Sequence, residues 1–259
     1  MRLEALPFVN WIFWAALAAG TLLVVGVTER LGGTTRGYRL FMAWLLVAFA
    51  AVLVASDLAL PPDAQGSATA ALRRPLTYAF AAGSFAYLVA SLARWPRSGL
   101  AIATGCIGLA ALVTVAAAGG SHSAPLFAGQ LILAALALGS VNAAMLLGHW
   151  YLVTPQLSPA PLRRMMWLLV ATLALQAVAF GVALAAGGTD ALSGGIGILT
   201  WLRLAVGILL PIVVAALAIA ASRAASLQAS TGLLSVGLAL IMAGSIAGAS
   251  ITYLTGVPV

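Results

Sequence analysis

The sequence predicts an all-α integral membrane protein with eight transmembrane helices, and three observations lead to this fold class. Hydrophobic residues make up 63% of the 259 residues and charged residues only 7%, too few charges to cover a soluble domain. Apolar windows of about 20 residues, the length that spans a bilayer core of about 30 Å, occur eight times. A five-residue segment of the second window also returns in the sixth.

The eight predicted spans follow one another with loops of about 4 to 14 residues, which are too short to fold into soluble domains. The small residues at 15–20 resemble a signal-peptide cleavage region. A similar run at 134–139 lies inside the fifth span, so we interpret the first span as a retained helix. The predicted spans are 8–28, 40–60, 75–94, 99–118, 127–153, 165–187, 197–221 and 231–255.

An internal repeat predicts how the spans are arranged. The segment 44–48 (WLLVA) returns at 167–171, and Leu76 and Thr77 return as Leu199 and Thr200, in both cases 123 residues later. Because the repeating unit holds an even number of spans, its two copies have the same orientation.

We therefore predict two tandem four-helix bundles in the same orientation, formed by residues 1–122 and 123–259. They are expected to be related by an axis along the membrane normal. Gly244 and Gly248 of the last span form a candidate close-contact face, because small residues let membrane helices approach.

The arginines predict the orientation in the membrane. All twelve cations are arginines, and they lie near span ends, so the net charge of +7 does not indicate a nucleic-acid partner. Short arginine-rich loops stay cytoplasmic, which predicts both termini outside, in a membrane of the bacterial inner type. The odd-numbered loops carry Arg30, Arg36, Arg39, Arg94, Arg97, Arg163, Arg164 and Arg223 against the single acid Glu29.

The end of the fifth span carries the most distinctive polar segment, around His149. This residue lies about 6 Å from the helix end at 1.5 Å per residue, which is head-group depth. An imidazole there can hydrogen-bond a quinone carbonyl and exchange a proton near neutral pH. We predict a quinone site of His149, Trp150 and Tyr151, with Asn142 two turns away on the same helix face. The alternative is an interfacial histidine beside belt aromatics.

A polar cluster is expected at the outer face. Arg203 lies just inside the seventh span and is expected either to snorkel outward or to pair with Asp57. The cluster has a structural interpretation and, as the alternative, a role as a docking or anion-attracting patch. Its predicted members are Asp57, Arg73, Arg74 and Arg203.

Two features near mid-membrane remain. Asn142 and Gln176 lie at similar depth on consecutive spans, and we predict an amide pair between them; lining of a polar cavity is the alternative. Pro211 removes a helix hydrogen bond and leaves the Gly207 carbonyl without its donor. This predicts either a plain kink or a broken helix of the kind found at transporter sites.

The residue inventory limits the cofactors. Cys106 is the only cysteine, and His122 and His149 are the only histidines, so a thiolate metal cluster within the chain is excluded. The two histidines are expected at opposite faces and cannot ligate one haem. We expect no haem or metal bound by this chain alone. Because no nucleophile with a base is recognisable, a non-catalytic membrane subunit is favoured over an enzyme.

Two classes of function remain. The first is a membrane subunit of an electron-transfer complex that anchors cytochrome or iron–sulfur partners and binds quinone. In its eight-span, two-bundle plan the chain resembles the quinone-interacting anchor subunits of the polysulfide reductase and dimethyl sulfoxide reductase type. The second is a transporter or channel for a small, weakly polar solute, favoured by the parallel repeat and Pro211. The scarcity of intramembrane carboxylates disfavours ion-coupled transport.

Overall fold

The computed structural model describes residues 6–61, 68–118, 124–154, 157–185 and 193–255. Within these ranges it contains eight helices that are long and apolar enough to cross a membrane, and no strand. The predicted eight-helix membrane protein is therefore confirmed. The helices are α1 (Leu6–Leu31), α2 (Arg36–Leu58), α3 (Ala68–Leu92), α4 (Ser98–Ala118), α5 (Ala124–Val153), α6 (Ala160–Ala185), α7 (Gly197–Arg223) and α8 (Leu227–Thr255).

Several helices begin earlier than their apolar windows predict, because arginines continue the helix into the head-group region. Arginine side chains bury their apolar stems and keep the charge near water, so such a turn remains stable. α2 begins at Arg36 instead of residue 40, and the Thr35 side chain caps it by accepting the Tyr38 N–H at 3.3 Å. α6 likewise begins at Ala160, ahead of Arg163 and Arg164.

The helices form two rings of four. In the first ring α1 packs on α2 and α4, while α3 closes the ring between α2 and α4. In the second ring α5 packs on α6 and α8, while α7 closes it in the same way. The main contacts between the rings join α1 to α5, α4 to α5 and α8 to α1. If each of the first four helices is exchanged for its counterpart among the last four, this pattern of contacts stays the same. Duplication itself stays a prediction. Its predicted boundary, between residues 122 and 123, lies outside the described residues.

Two glycines meet at a close contact between the rings. A Cβ added to Gly139 would overlap the backbone of Gly20, and one added to Gly20 would overlap the Ala135 backbone. Gly20 and Gly139 end the two similar small-residue runs of α1 and α5. Helices that cross at a twofold axis bring equivalent residues together, as in a symmetric dimer, and this is the arrangement that the predicted duplication requires. Small residues at this point let the backbones touch.

The two ends of the bundle differ in their side chains. At the end that we call the terminal side, α1 begins and α8 ends, and the rings of Phe8 and Tyr253 lie 6.0 Å apart. The other end, which we call the arginine side, holds Arg36 at the start of α2 and Arg223 at the end of α7.

α7 is not a regular helix. Its first five residues, Gly197–Trp201, are α-helical, the next eight, Leu202–Leu209, form a π-helix, and α-helix resumes over Leu210–Arg223. Pro211 is the second residue after the π segment, and the Leu210 N–H bonds to the Ala205 carbonyl. A proline ring crowds the carbonyl four residues earlier, here Gly207, and a wider helical turn relieves that contact. The predicted interruption is thus a π segment ahead of Pro211.

Candidate functional site

A cavity of about 40 Å³ lies near the terminal side, between α1, α5, α7 and α8. Its walls are mostly apolar, and Ile12, Phe13 and Leu131 are among them. Four side chains supply its polar atoms, and three of these four residues are half-buried. The cavity is partly open. The polar side chains are Gln130, Arg203, Ser245 and Thr252.

Arg203 is the dominant group of this cavity. The residue is only 5% exposed, and its position seven residues into α7 puts it about 9 Å along the helix at 1.5 Å per residue. Its Nε and Nη1 atoms are buried, and neither has a hydrogen-bond partner in the described part of the chain. No carboxylate of the described residues lies within ion-pair distance of its guanidinium.

Two further polar atoms of the cavity are also without partners. The Gln130 Nε2 and Ser245 Oγ atoms are buried and accept or donate no hydrogen bond within the described residues. An amide N–H and a guanidinium N–H only donate, and a hydroxyl can also donate. The cavity thus gathers donors from three helices and fits a ligand that presents acceptor oxygens.

Glycines of α7 and α8 make room for the Arg203 side chain. A Cβ on Gly207 would lie 2.6 Å from the Gly244 Cα, so these residues set the closest approach of the two helices. A Cβ on Gly248 would lie 3.3 Å from Arg203 Nε and 3.4 Å from its Cδ. Gly244 and Gly248 therefore do form a close-contact face, and Arg203 packs on part of it.

The π segment fixes which way Arg203 points. Arg203 is its second residue. A π-helical turn holds one more residue than an α-helical turn, so the start of α7 is rotated about the helix axis relative to Leu210–Arg223. π-helical turns occur frequently at functional sites. Here the turn places a charged side chain towards α1, α5 and α8 at a depth where an apolar residue would be the ordinary choice.

The expected polar cluster forms without Arg203. Asp57 is fully buried; its Oδ1 lies 2.9 Å from Arg73 Nε and its Oδ2 3.4 Å from Arg74 Nε. The Arg73 guanidinium also lies 5.6 Å from the centre of the Trp11 ring. The prediction that Arg203 pairs with Asp57 is wrong. α1 lies between Asp57 and Arg203. On one side of this helix Trp11 contacts Arg73, the partner of Asp57, and on the other Ile12 and Phe13 line the Arg203 cavity.

The residues of the predicted quinone site at the end of α5 do not share a cavity among those described. The His149 side chain is exposed, and its Nδ1 lies 3.0 Å from the Met145 carbonyl one turn earlier. Tyr151 is buried and donates its hydroxyl to the Ser158 carbonyl at 2.8 Å. Trp150 packs against Gly37 of α2. Tyr151 and Trp150 thus have structural contacts, while a role for His149 stays a prediction.

The predicted amide pair in mid-membrane does not form. Asn142 Nδ2 instead donates to Thr21 Oγ1 at 3.2 Å, which joins α5 to α1 across the contact between the rings. Gln176 is 3% exposed, and neither its Oε1 nor its Nε2 has a partner in the described residues. The pairing was wrong because the Asn142 side chain is directed to Thr21 of α1 instead of to α6.

Comparison with known proteins gives no relative. No family model matches the sequence, and no match was found among curated proteins or among solved structures. The resemblance to reductase anchor subunits therefore remains one of span number and arrangement. In the described residues no group of three or more His, Cys, Asp or Glu side chains is placed to hold a metal ion. His122 lies outside those residues.

Proposed function

We propose that this protein is the membrane subunit of an electron-transfer complex and that it binds the head group of a lipid-soluble quinone in the Arg203 cavity. One observation carries the proposal. A buried guanidinium lines a cavity, and two of its N–H groups have no acceptor among the described residues. Burying an ion without a partner costs several kcal/mol, roughly, so a ligand oxygen at this position would recover part of that cost.

The lining of the cavity suits a quinone head group better than a strongly hydrated solute. A space of about 40 Å³ holds only a few water-sized molecules, so α1, α5, α7 and α8 must move apart when the ring binds. The ring carbonyls of a quinone are acceptors that match the donors of Arg203, Gln130 and Ser245, and its ring suits the apolar walls. A guanidinium hydrogen bond to such an oxygen is charge-assisted and therefore stronger than a neutral one. The cavity is partly open, and on this proposal a lipid-soluble molecule would enter it from the bilayer.

The proposal also requires partner chains. A bound quinone carries electrons and protons between donors and acceptors. In the described residues no group of three or more His, Cys, Asp or Glu side chains is placed to hold a metal ion that would exchange electrons with it. Cytochrome or iron–sulfur subunits are the expected partners, bound at one or both ends of the bundle. Purification in mild detergent should retain them; recovery of the chain alone, as a clean monomer or homodimer, would contradict this part of the proposal.

Quinone titration of the purified chain tests the site itself. Short-chain ubiquinone and menaquinone analogues should bind saturably, measured by quenching of tryptophan fluorescence. Arg203→Met should weaken binding by about 10- to 100-fold, as expected for the loss of a hydrogen bond to a charged group. Arg223→Met, which removes the same charge at the other end of α7, is the matched control and should bind normally. Equal binding by wild type and Arg203→Met would rule out this site.

A transporter or channel for a small, weakly polar solute is the second candidate. The π segment and Pro211 favour it, because interrupted helices near a buried polar group are a recurrent feature of transport sites. On this alternative Arg203 would bind an oxygen-bearing solute. Saturable uptake of such a solute into proteoliposomes, lost in Arg203→Met, together with absence of quinone binding would favour transport over the quinone proposal.

The orientation is part of the same proposal. The arginine side is inferred to face the cytoplasm of a bacterial-type cell, which leaves the Arg203 cavity in the outer half of the membrane. A single cysteine introduced at Trp95, with Cys106 replaced by serine, should react with a membrane-impermeant reagent only from the cytoplasmic side. Labelling from the outside alone would invert the orientation.

A further inference from the structure

The arginine side holds a second cavity whose lining is strongly basic. A space of about 420 Å³ is lined by Ser91 together with the four residues that we call the arginine cluster. A neighbouring space of about 330 Å³ shares three of these arginines and adds Glu29 and Trp95. The arginine cluster consists of Arg36, Arg39, Arg94 and Arg97.

We propose that the arginine cluster binds a phosphate-type anion, and that the phosphate of an anionic lipid head group is its source. The inference concerns a different cavity at the other end of the bundle and does not depend on quinone binding. It rests on the charge balance of the cluster, on the placement of its four side chains and on their depth in the membrane.

The charge balance leaves the cluster strongly positive. Glu29 is the only acid in its walls, and its carboxylate is already engaged. Glu29 Oε1 accepts the Tyr87 hydroxyl at 2.6 Å, and Oε2 lies 3.4 Å from Arg97 Nε. Among the described residues, Arg36, Arg39 and Arg94 have no carboxylate within ion-pair distance. The buried Nε of Arg39 also lacks a hydrogen-bond partner there.

Three helix ends hold the four side chains around one space. Arg36 begins α2, and Arg39 lies three residues later, so the two are neighbours on the helix surface. Arg94 follows the end of α3 with a left-handed backbone, φ +61°, and Arg97 directly precedes α4. The Arg97 guanidinium is steadied by donating to the Trp95 carbonyl at 3.3 Å.

The chemistry and the depth indicate a lipid phosphate. Guanidinium groups bind phosphate oxygens through paired N–H donors, and several of them around one space can share a phosphate. Because the cluster lies where α2 begins, α3 ends and α4 begins, it is at head-group level. Basic pockets between transmembrane helices at this level bind anionic lipid head groups.

Thermal unfolding in detergent tests the inference with three additives. Phosphatidylglycerol should raise the melting temperature of the wild type, whereas phosphatidylcholine with the same acyl chains should not. Inorganic phosphate is the third additive, and it distinguishes a lipid-borne from a soluble anion. In the double variant Arg39→Gln/Arg94→Gln the apparent Kd for phosphatidylglycerol should rise by about tenfold or more.

A charge-matched control separates the cluster from general electrostatics. Arg164→Gln/Arg223→Gln removes two arginines from the same side, where Arg164 donates to the Leu31 carbonyl and Arg223 lies over the Trp167 ring. This control should keep the wild-type response to phosphatidylglycerol. Should Arg39→Gln/Arg94→Gln fail to fold, Arg94→Gln alone, at an exposed position, takes its place.

The three additives and the two variants together distinguish a lipid site, a site for a soluble anion and no site at all. A response to phosphatidylglycerol that only the cluster variant loses supports a lipid site. The same pattern with inorganic phosphate supports the anion site but assigns it a soluble ligand. Equal responses to the two lipids, or equal loss in the control variant, would overturn the proposal.

Discussion

Among the described residues, two arginines of the terminal side are buried, one in each half of the molecule, and only one of them has a counter-ion. Arg73 is 3% exposed and lies 2.9 Å from a carboxylate oxygen of the fully buried Asp57. Arg203 is 5% exposed and has no carboxylate partner among the described residues. The first half holds its charge with a fixed counter-ion, while the second half directs its charge into a cavity. A charge that the fold does not neutralise is available to a ligand.

The largest expected effect is a difference in the free energy of unfolding between a variant at the Arg73 ion pair and a variant of Arg203. Asp57→Asn leaves Arg73 buried without its counter-charge, and losses of this kind cost about 3–5 kcal/mol. Arg203→Met removes a charge that has no partner to lose, so the free energy of unfolding should stay the same or increase. Unfolding of both variants in mixed detergent measures this. A loss for Arg203→Met as large as that for Asp57→Asn would mean that Arg203 has a structural counter-ion.

The next effect concerns the contact that positions Arg203. In Gly207→Ala the new methyl group would lie 2.6 Å from the Gly244 Cα, and such overpacking costs about 1–3 kcal/mol. Quinone binding should weaken as well, since α7 and α8 must move apart. Gly232→Ala, on α8 with open space at its Cβ position, is the control and should not destabilise the protein. Equal unfolding energies for the two variants would show that the close contact is dispensable.

A smaller change probes the cavity without disturbing the bundle. In Gly248→Ala the methyl group would lie 3.3 Å from Arg203 Nε, so the guanidinium must shift by a few tenths of an ångström. We expect quinone to bind several-fold more weakly, with the free energy of unfolding within about 0.5 kcal/mol of wild type. Fluorescence titration and unfolding of the same sample provide both values. Unchanged affinity would indicate that the ligand does not contact this side of Arg203.

The smallest expected effect is that of His149→Ala. The side chain is exposed and hydrogen-bonds within its own helix turn, so quinone affinity and stability should both remain within about 0.5 kcal/mol of wild type. A clear loss of quinone affinity in this variant, with Arg203→Met unaffected, would move the site to the end of α5.

The fold was predictable because it depends on properties that are local in sequence. Apolar windows of membrane length mark the helices. Trp44 and Trp167, which begin the two copies of the repeated five-residue segment, are both exposed, by 57% and 51%. The pairing of Asp57 with Arg73 could also have been predicted from the sequence, since both residues lie at adjoining ends of consecutive spans. The similar small-residue runs that end in Gly20 and Gly139 turned out to meet at the contact between the rings.

The candidate site was less predictable, because it depends on helix rotation. Whether Arg203 faces Asp57, lipid or a cavity depends on the π segment, which periodicity at 3.6 residues per turn does not reveal. Gln130 and Ser245 come from two other helices, and a lone amide or hydroxyl in an apolar span does not show which neighbour it faces. The prediction at His149 rested on its being a rare residue type in this chain, but its side chain does not line any of the described cavities.

Photoaffinity labelling with an azido-quinone tests the central claim most directly. The reacted residues are identified by peptide mass spectrometry in wild type and in Arg203→Met. The account predicts that label is found on the cavity walls, at Leu131 of α5 and Thr252 of α8 among others, and that it is lost in Arg203→Met. Label concentrated at 149–151, or retained on the cavity walls without Arg203, would contradict it.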